Sequence, residues 1–195
     1  MRTLYGRHYA DRMRAVAEHV PRGASVLELC CGPGTLYLAH LRHHVGSYVG
    51  LDVNAGFVER LRRRGVDARL EDLGDGRPLP RADVVLIQAS LYHFLPDADR
   101  LVDRMVAAAR ERVIVSEPVR NLATSSIPGI GLLSRRAADP GVGGHADRFD
   151  ERTLAELMHR YRERIICTFA IPGGRERVYV LAGGAAVPPD SDAST

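Results

Sequence analysis

Ser25-Val26-Leu27-Glu28-Leu29-Cys30-Cys31-Gly32-Pro33-Gly34 is the stretch on which the reading of this chain turns. Val26, Leu27 and Leu29 read as a short apolar strand. Glu28 interrupts it just before a turn built on Cys30, Gly32 and Gly34, and a helix-like segment follows from Leu36. A strand running through a small-residue turn into a helix brings backbone N–H groups and a helix N-terminus beside a ligand. The acid inside the strand is the anomaly. A buried carboxylate needs partners, so a hydroxyl or a positive charge is expected near Glu28.

Outward from this stretch, strands and helices alternate. Residues 7–20 pattern as an amphipathic helix with Met13, Val16, Ala17 and Val20 on one face. Strand one spans 25–30, and a helix is predicted over 35–44. Ser47–Asp52 is strand two, ending on an acid, and an arginine-rich helix covers 55–64. A short third strand at 67–71 leads into the acidic loop Glu71-Asp72-Leu73-Gly74-Asp75-Gly76. The continuous apolar run Val84-Val85-Leu86-Ile87 suits a central buried parallel strand over 82–88. A helix over 98–109 and a buried strand over 112–116 follow. Residues 118–149 are broken by Gly and Pro and read as a lid-like insertion. Asp150 is an N-cap for a helix over 151–162. Strands at 164–171 and 176–182 flank Pro172-Gly173-Gly174-Arg175 as a hairpin. The alternation predicts an α/β fold with a doubly wound sheet. It is organised as one domain over 1–183, with 1–20 as an N-terminal cap and 184–195 as a disordered tail.

The bulk numbers agree with an ordinary globular domain: 195 residues, 45% apolar and a formal charge of +3. No apolar run has the length of a membrane span, and Met1 to Val20 is too polar for a signal peptide. All 27 basic residues are Arg, which is better explained by base composition than by nucleic-acid binding. Three Cys make no disulfide framework and suit a reducing, cytoplasmic setting.

In doubly wound sheets ligands sit beyond the carboxyl ends of the strands. The polar residues fall there: Glu28 with the Gly turn, Asp52, Asp72, Gln88 with Ser90, and Glu117. An acid ending strand two accepts both hydroxyls of a ribose, and Asp72 accepts from an exocyclic amine. An adenosine across strands one to three satisfies these groups together.

On these residues the chain resembles the class I S-adenosylmethionine-dependent methyltransferases. Glu28 to Gly34 resembles their acid-x-small-x-Gly-x-Gly motif. Asp52, Asp72 with Leu73, and Gln88-Ala89-Ser90-Leu91-Tyr92-His93-Phe94 resemble their later motifs, in order, between about residues 8 and 118. The resemblance implies a mostly parallel seven-stranded sheet with a reversed last strand, S-adenosylmethionine as cofactor, and no metal. It implies cofactor contacts at Glu28, Cys30, Gly32 and Gly34, at Asp52 and Val53, at Asp72 and Leu73, at Gln88, and from the first helix at Tyr9.

Cys30 stands where the family has its first Gly, which makes a positive φ there less expected. The Pro-Pro-aromatic tetrapeptide of amino-methylating members is absent, since Ile87-Gln88-Ala89-Ser90 takes its place. A dinucleotide fingerprint does not fit, because Thr35 and Tyr37 stand where its last Gly belongs in either register, and Glu28 would repel a diphosphate.

Candidate catalytic residues are His93, Tyr92 and Glu117. His93 is read either as a general base or as pocket lining. Glu117 is read either as orienting a substrate donor or as a structural cap. His145 and Arg148 are candidates for folding over the pocket, whereas His40, His43 and His44 read as a solvated helix face. The expected activity is methyl transfer to an oxygen, nitrogen or carbon of a small molecule. The alternative is a protein of the same fold that binds S-adenosylmethionine without methylating, as a structural cofactor or for a rearrangement.

Overall fold

The computed structural model describes residues 9–119, 148–171, 173 and 176–184, with side chains from residue 11 onward. In chain order the elements are α1 (Tyr9–Ala17), β1 (Ser25–Leu29), a π-helical turn (Tyr37–Leu41), β2 (Ser47–Asp52), α2 (Ala55–Arg62) and β3 (Ala68–Leu70). They continue with β4 (Ala82–Gln88), α3 (Ala98–Ala108), β5 (Ala109–Pro118), α4 (Glu151–His159), β6 (Ile165–Ala170) and β7 (Glu176–Ala182). Short 3₁₀ turns lie at Leu73–Asp75, Leu91–Phe94 and Arg162–Arg164.

One seven-stranded sheet runs in the order β3-β2-β1-β4-β5-β7-β6. β1 pairs in parallel with both β2 and β4, while β7 is antiparallel to β5 and β6. The doubly wound, mostly parallel sheet with a reversed last strand is therefore present. Winding changes direction between β1 and β4, where such sheets take ligands.

Alternate residues of the central strands feed two apolar layers. Leu27, Leu29, Val85, Ile87, Val113 and Val115 pack with α3 and α4. Val26, Val84, Leu86, Ile114, Val178 and Val180 pack with α1 and α2. Burial on both faces is why β4 reads as an unbroken apolar run. Local signals set the helix starts. Asn54 accepts from Phe57 N–H ahead of α2, and Asp150 forms a capping box with Thr153 ahead of α4. Each such cap contributes about 1 kcal/mol.

Two elements differ from expectation. The helix predicted over 35–44 ends at Leu41 and closes with a wide turn, in which Arg42 N–H bonds to Tyr37 O at 2.8 Å. The fifth strand runs from Ala109 to Pro118 rather than 112–116, because Ala109 pairs with Ala82 of β4 at one end and β7 pairs as far as Pro118↔Glu176 at the other. That extension carries Glu117 into the sheet. The insertion over 120–147, the hairpin residues 172 and 174–175, and the tail over 185–195 lie outside the described residues.

Candidate active site

The turn after β1 is left-handed at three residues: Cys30 (φ 51°), Gly32 (φ 54°) and Gly34 (φ 68°). The expectation against a positive φ at Cys30 is thus corrected. Cys31 N–H bonds to Leu51 O at 3.0 Å and Gly34 N–H to Cys31 O at 2.9 Å. With the chain tied down on both sides, Cys30 takes the left-handed conformation at a cost of about 1–2 kcal/mol. The two glycines differ in what they leave free. A Cβ on Gly34 would lie 2.6 Å from a Leu61 methyl, so this glycine lets α2 approach. A Cβ on Gly32 would meet nothing within 4 Å, so the space over that residue is open.

Asp52 ties the turn to the end of β2. Its Oδ2 accepts Gly32 N–H at 2.7 Å and its Oδ1 accepts Asn54 N–H at 2.8 Å. Each carboxylate oxygen keeps a second lone pair. Beside it Val53 is exposed, although apolar. Asp72 is exposed and accepts Gly74 N–H at 2.9 Å, which folds Leu73 inward as a buried residue.

Glu28 is buried, and its partner is the Tyr48 hydroxyl, which donates to Oε2 at 2.7 Å. The hydroxyl expected near Glu28 is therefore supplied from the neighbouring strand, where Glu28 pairs with Gly50. Gly50 makes the contact possible, since a Cβ there would lie 2.9 Å from the Tyr48 oxygen and 2.7 Å from Cys31 Sγ. Tyr37 stacks on Tyr48 with ring centroids 4.0 Å apart. Burial pushes the Glu28 carboxyl up to about 7, opposed by the Tyr48 bond and reinforced by the Asp52 charge. Burial, with the Asp52 charge, pushes the Cys30 thiol up to about 12, which makes it a protonated packing group.

Across the switch point Ala89 also has a left-handed backbone, φ 51°. The Gln88 Nε2 before it is buried without a hydrogen-bond partner. Glu117 is 0% exposed. Its Oε2 accepts Leu91 N–H at 3.0 Å and so caps the turn Leu91–Phe94, while its Oε1 is buried without a hydrogen-bond partner. Burial, with the Glu176 charge, pushes its carboxyl up to about 8 against the opposing N–H groups of Leu91 and Tyr92 and the Arg148 charge. Tyr92 is buried on the same turn, with the His93 ring 4.0 Å away and the Arg148 guanidinium carbon 3.5 Å over its face. Tyr92 and His93 thus share one turn, and Glu117 caps it from β5. Tyr9 opens α1, but its side chain, like His145, lies outside the described residues.

Sequence reasoning missed Tyr48 and a further buried acid, Glu176. Arg12 Nη2 donates to Glu176 Oε1 at 3.0 Å, Arg12 Nε lies 2.7 Å from Oε2, and the Ser116 hydroxyl donates to Oε1. Arg12 was detectable, because it falls in phase with Val16 and Val20 on the buried face of α1.

Residues 26–112 match the family model described as a methyltransferase domain. Trans-aconitate 2-methyltransferase of Mycolicibacterium gilvum is 37% identical over 106 residues, 54% of this chain and 40% of that protein. An N,N-dimethyltransferase of Streptomyces fradiae, named for dTDP-3-amino-3,6-dideoxy-alpha-D-glucopyranose, is 33% identical over 122 residues, 58% of this chain and 47% of that protein. The chain thus spans less than half the length of these curated relatives. Among solved structures, magnesium protoporphyrin IX methyltransferase of Synechocystis with bound SAH superposes with a TM-score of 0.66 at 15% identity, covering 91% of this chain and 84% of that one.

Proposed function

We propose that this chain, which belongs to the class I S-adenosylmethionine-dependent methyltransferases, transfers a methyl group to a small-molecule acceptor. The observation that carries the reading is the open space over Gly32, whose N–H is held by the Asp52 carboxylate, with the buried Glu28 in the strand that leads into the turn. A backbone without a Cβ suits the close approach of a nucleoside, and Asp52 has lone pairs left for ribose hydroxyls. Glu28 would hold the amino-acid end. An ammonium nearby would lower its pKa and draw it into the ionised form. Val53 and Leu73 offer apolar surface on either side of an adenine, with Asp72 at its edge.

When bound, S-adenosylmethionine supplies an activated methyl group: the S–C bond breaks as the acceptor's lone pair forms the new bond, and the released pair stays on sulfur. The chain's contribution is to position the acceptor in line and to keep water out. Tyr92 and the turn Leu91–Phe94 form the wall on the acceptor side. His93 takes the proton where the acceptor carries one, and Gln88 borders the methyl site with its unpaired amide.

The test has two steps. Calorimetry with S-adenosylmethionine and S-adenosylhomocysteine should give saturable one-to-one binding, and absence of binding by both ends the proposal. A methyl-transfer screen over small acids, amines and phenols should then give turnover. Binding without turnover on every class would favour the non-methylating alternative.

A further inference from the structure

Beyond the cofactor groups, two features near the turn Leu91–Phe94 are ones that methyl transfer by itself does not use. One is the unpartnered Oε1 of Glu117 on a side chain with no exposed surface. A buried polar atom without a partner costs about 1–3 kcal/mol, so a site that keeps one has a use for it. The other is Arg148. It is exposed, forms no ion pair among the described residues, and holds its guanidinium carbon 3.5 Å over the Tyr92 ring. Stacking on a buried ring fixes the cation in place. A planar guanidinium carries five N–H donors in a fixed fork and matches a carboxylate in two-point geometry.

We propose that Arg148 and Glu117 hold a carboxylate of the acceptor, so that the substrate of this site is a small carboxylic acid. The proposal rests on the methyltransferase reading above and adds the acceptor class. Because Oε2 of Glu117 accepts Leu91 N–H, the proton of the neutral acid belongs on Oε1, where it becomes a donor. Burial keeps Glu117 in that neutral form near pH 7. A donor acid beside a fixed cation binds an anion. An amine acceptor, by contrast, is repelled by Arg148 and requires Glu117 to ionise. Glu117 lies near the carboxyl end of β5, separated from the strand of the Gly turn by β4, and Arg148 stands over Tyr92 on the turn that follows β4.

The full chain, saturated with S-adenosylhomocysteine, is titrated with trans-aconitate as a polycarboxylate probe and separately with its trimethyl ester. The acid should bind and the ester should not. Arg148→Met should weaken acid binding at least about 30-fold and Arg148→Lys by less, with S-adenosylhomocysteine affinity unchanged in both. Equal acid binding by Arg148→Met and the parent overturns the proposal. So does a parent that takes S-adenosylhomocysteine but neither trans-aconitate, citrate nor succinate. If S-adenosylhomocysteine itself fails to bind, the methyltransferase reading fails, and the acid titration repeated without it still tests the Arg148 subsite.

Discussion

At the ends of β1 and β2, Glu28 is bonded to Tyr48 and Asp52 to two backbone N–H groups. At the ends of β4 and β5, Gln88 Nε2 and Glu117 Oε1 are buried without partners. Both regions flank one switch point, and both contain a non-glycine residue with φ 51°. The first half is preorganised: its turn, acid and tyrosine are held by the protein's own bonds, so the cofactor proposed for it would meet a finished surface. The second half is incomplete. Its orphaned polar atoms are the groups that the proposed acceptor site would put to use.

The largest effect should come from the buried ion pair between Arg12 and Glu176. Arg12→Ala leaves Glu176 without its buried cation, and denaturant unfolding should show a loss of about 3–5 kcal/mol. A loss below about 1 kcal/mol would mean that the pair does not anchor α1. The next effect is on pH. Glu28 and Glu117 have raised pKa values in the fold, about 7 and about 8 against an ordinary 4.5, so folded protein holds their protons longer than unfolded chain does. Their contribution is complete below 4.5 and is lost as pH rises through those folded values, on the order of 3 kcal/mol for Glu28 and 5 kcal/mol for Glu117. Glu117→Gln should flatten the stability curve up to pH 8, and Glu28→Gln up to pH 7. Curves parallel to the parent's would show that these acids are not held neutral.

Asp52→Ala tests the finished half. It removes the clamp on Gly32 and the proposed ribose acceptor together, so S-adenosylhomocysteine affinity should fall about 100-fold by calorimetry, equivalent to about 2.7 kcal/mol. A change of less than threefold would place the nucleoside elsewhere. The smallest effect is at Ala89. Glycine relieves the left-handed backbone there, and Ala89→Gly should raise unfolding free energy by up to about 1 kcal/mol, while Ala89→Val lowers it. A destabilised glycine variant would refute strain at that position.

The strands were readable because their burial is two-sided and continuous, as in Val84 to Ile87. The acids were readable because each closes a strand. Glu28 was legible as a problem but not in its solution. Tyr48 is 20 residues away and reaches Glu28 only because β2 lies beside β1 in a register that sets Gly50 opposite the acid. The φ of Cys30 was misread because side-chain type was weighed without the bonds that lock the turn on both sides. Glu117 was seen at a strand end, but the length of that strand depends on pairing with β7.

By itself the sequence determined the order of strands and helices, the Gly turn, and the place of Asp52 and Asp72 at strand ends. These follow from local periodicity and local turn chemistry, which need no knowledge of distant partners. Only the tertiary structure decided who meets whom: Tyr48 with Glu28, Arg148 with Tyr92, and Arg12 with Glu176 across 164 residues. Such pairs depend on strand register and on how the cap helix packs. They form because a buried charge or hydroxyl must find a partner wherever the fold brings one within reach.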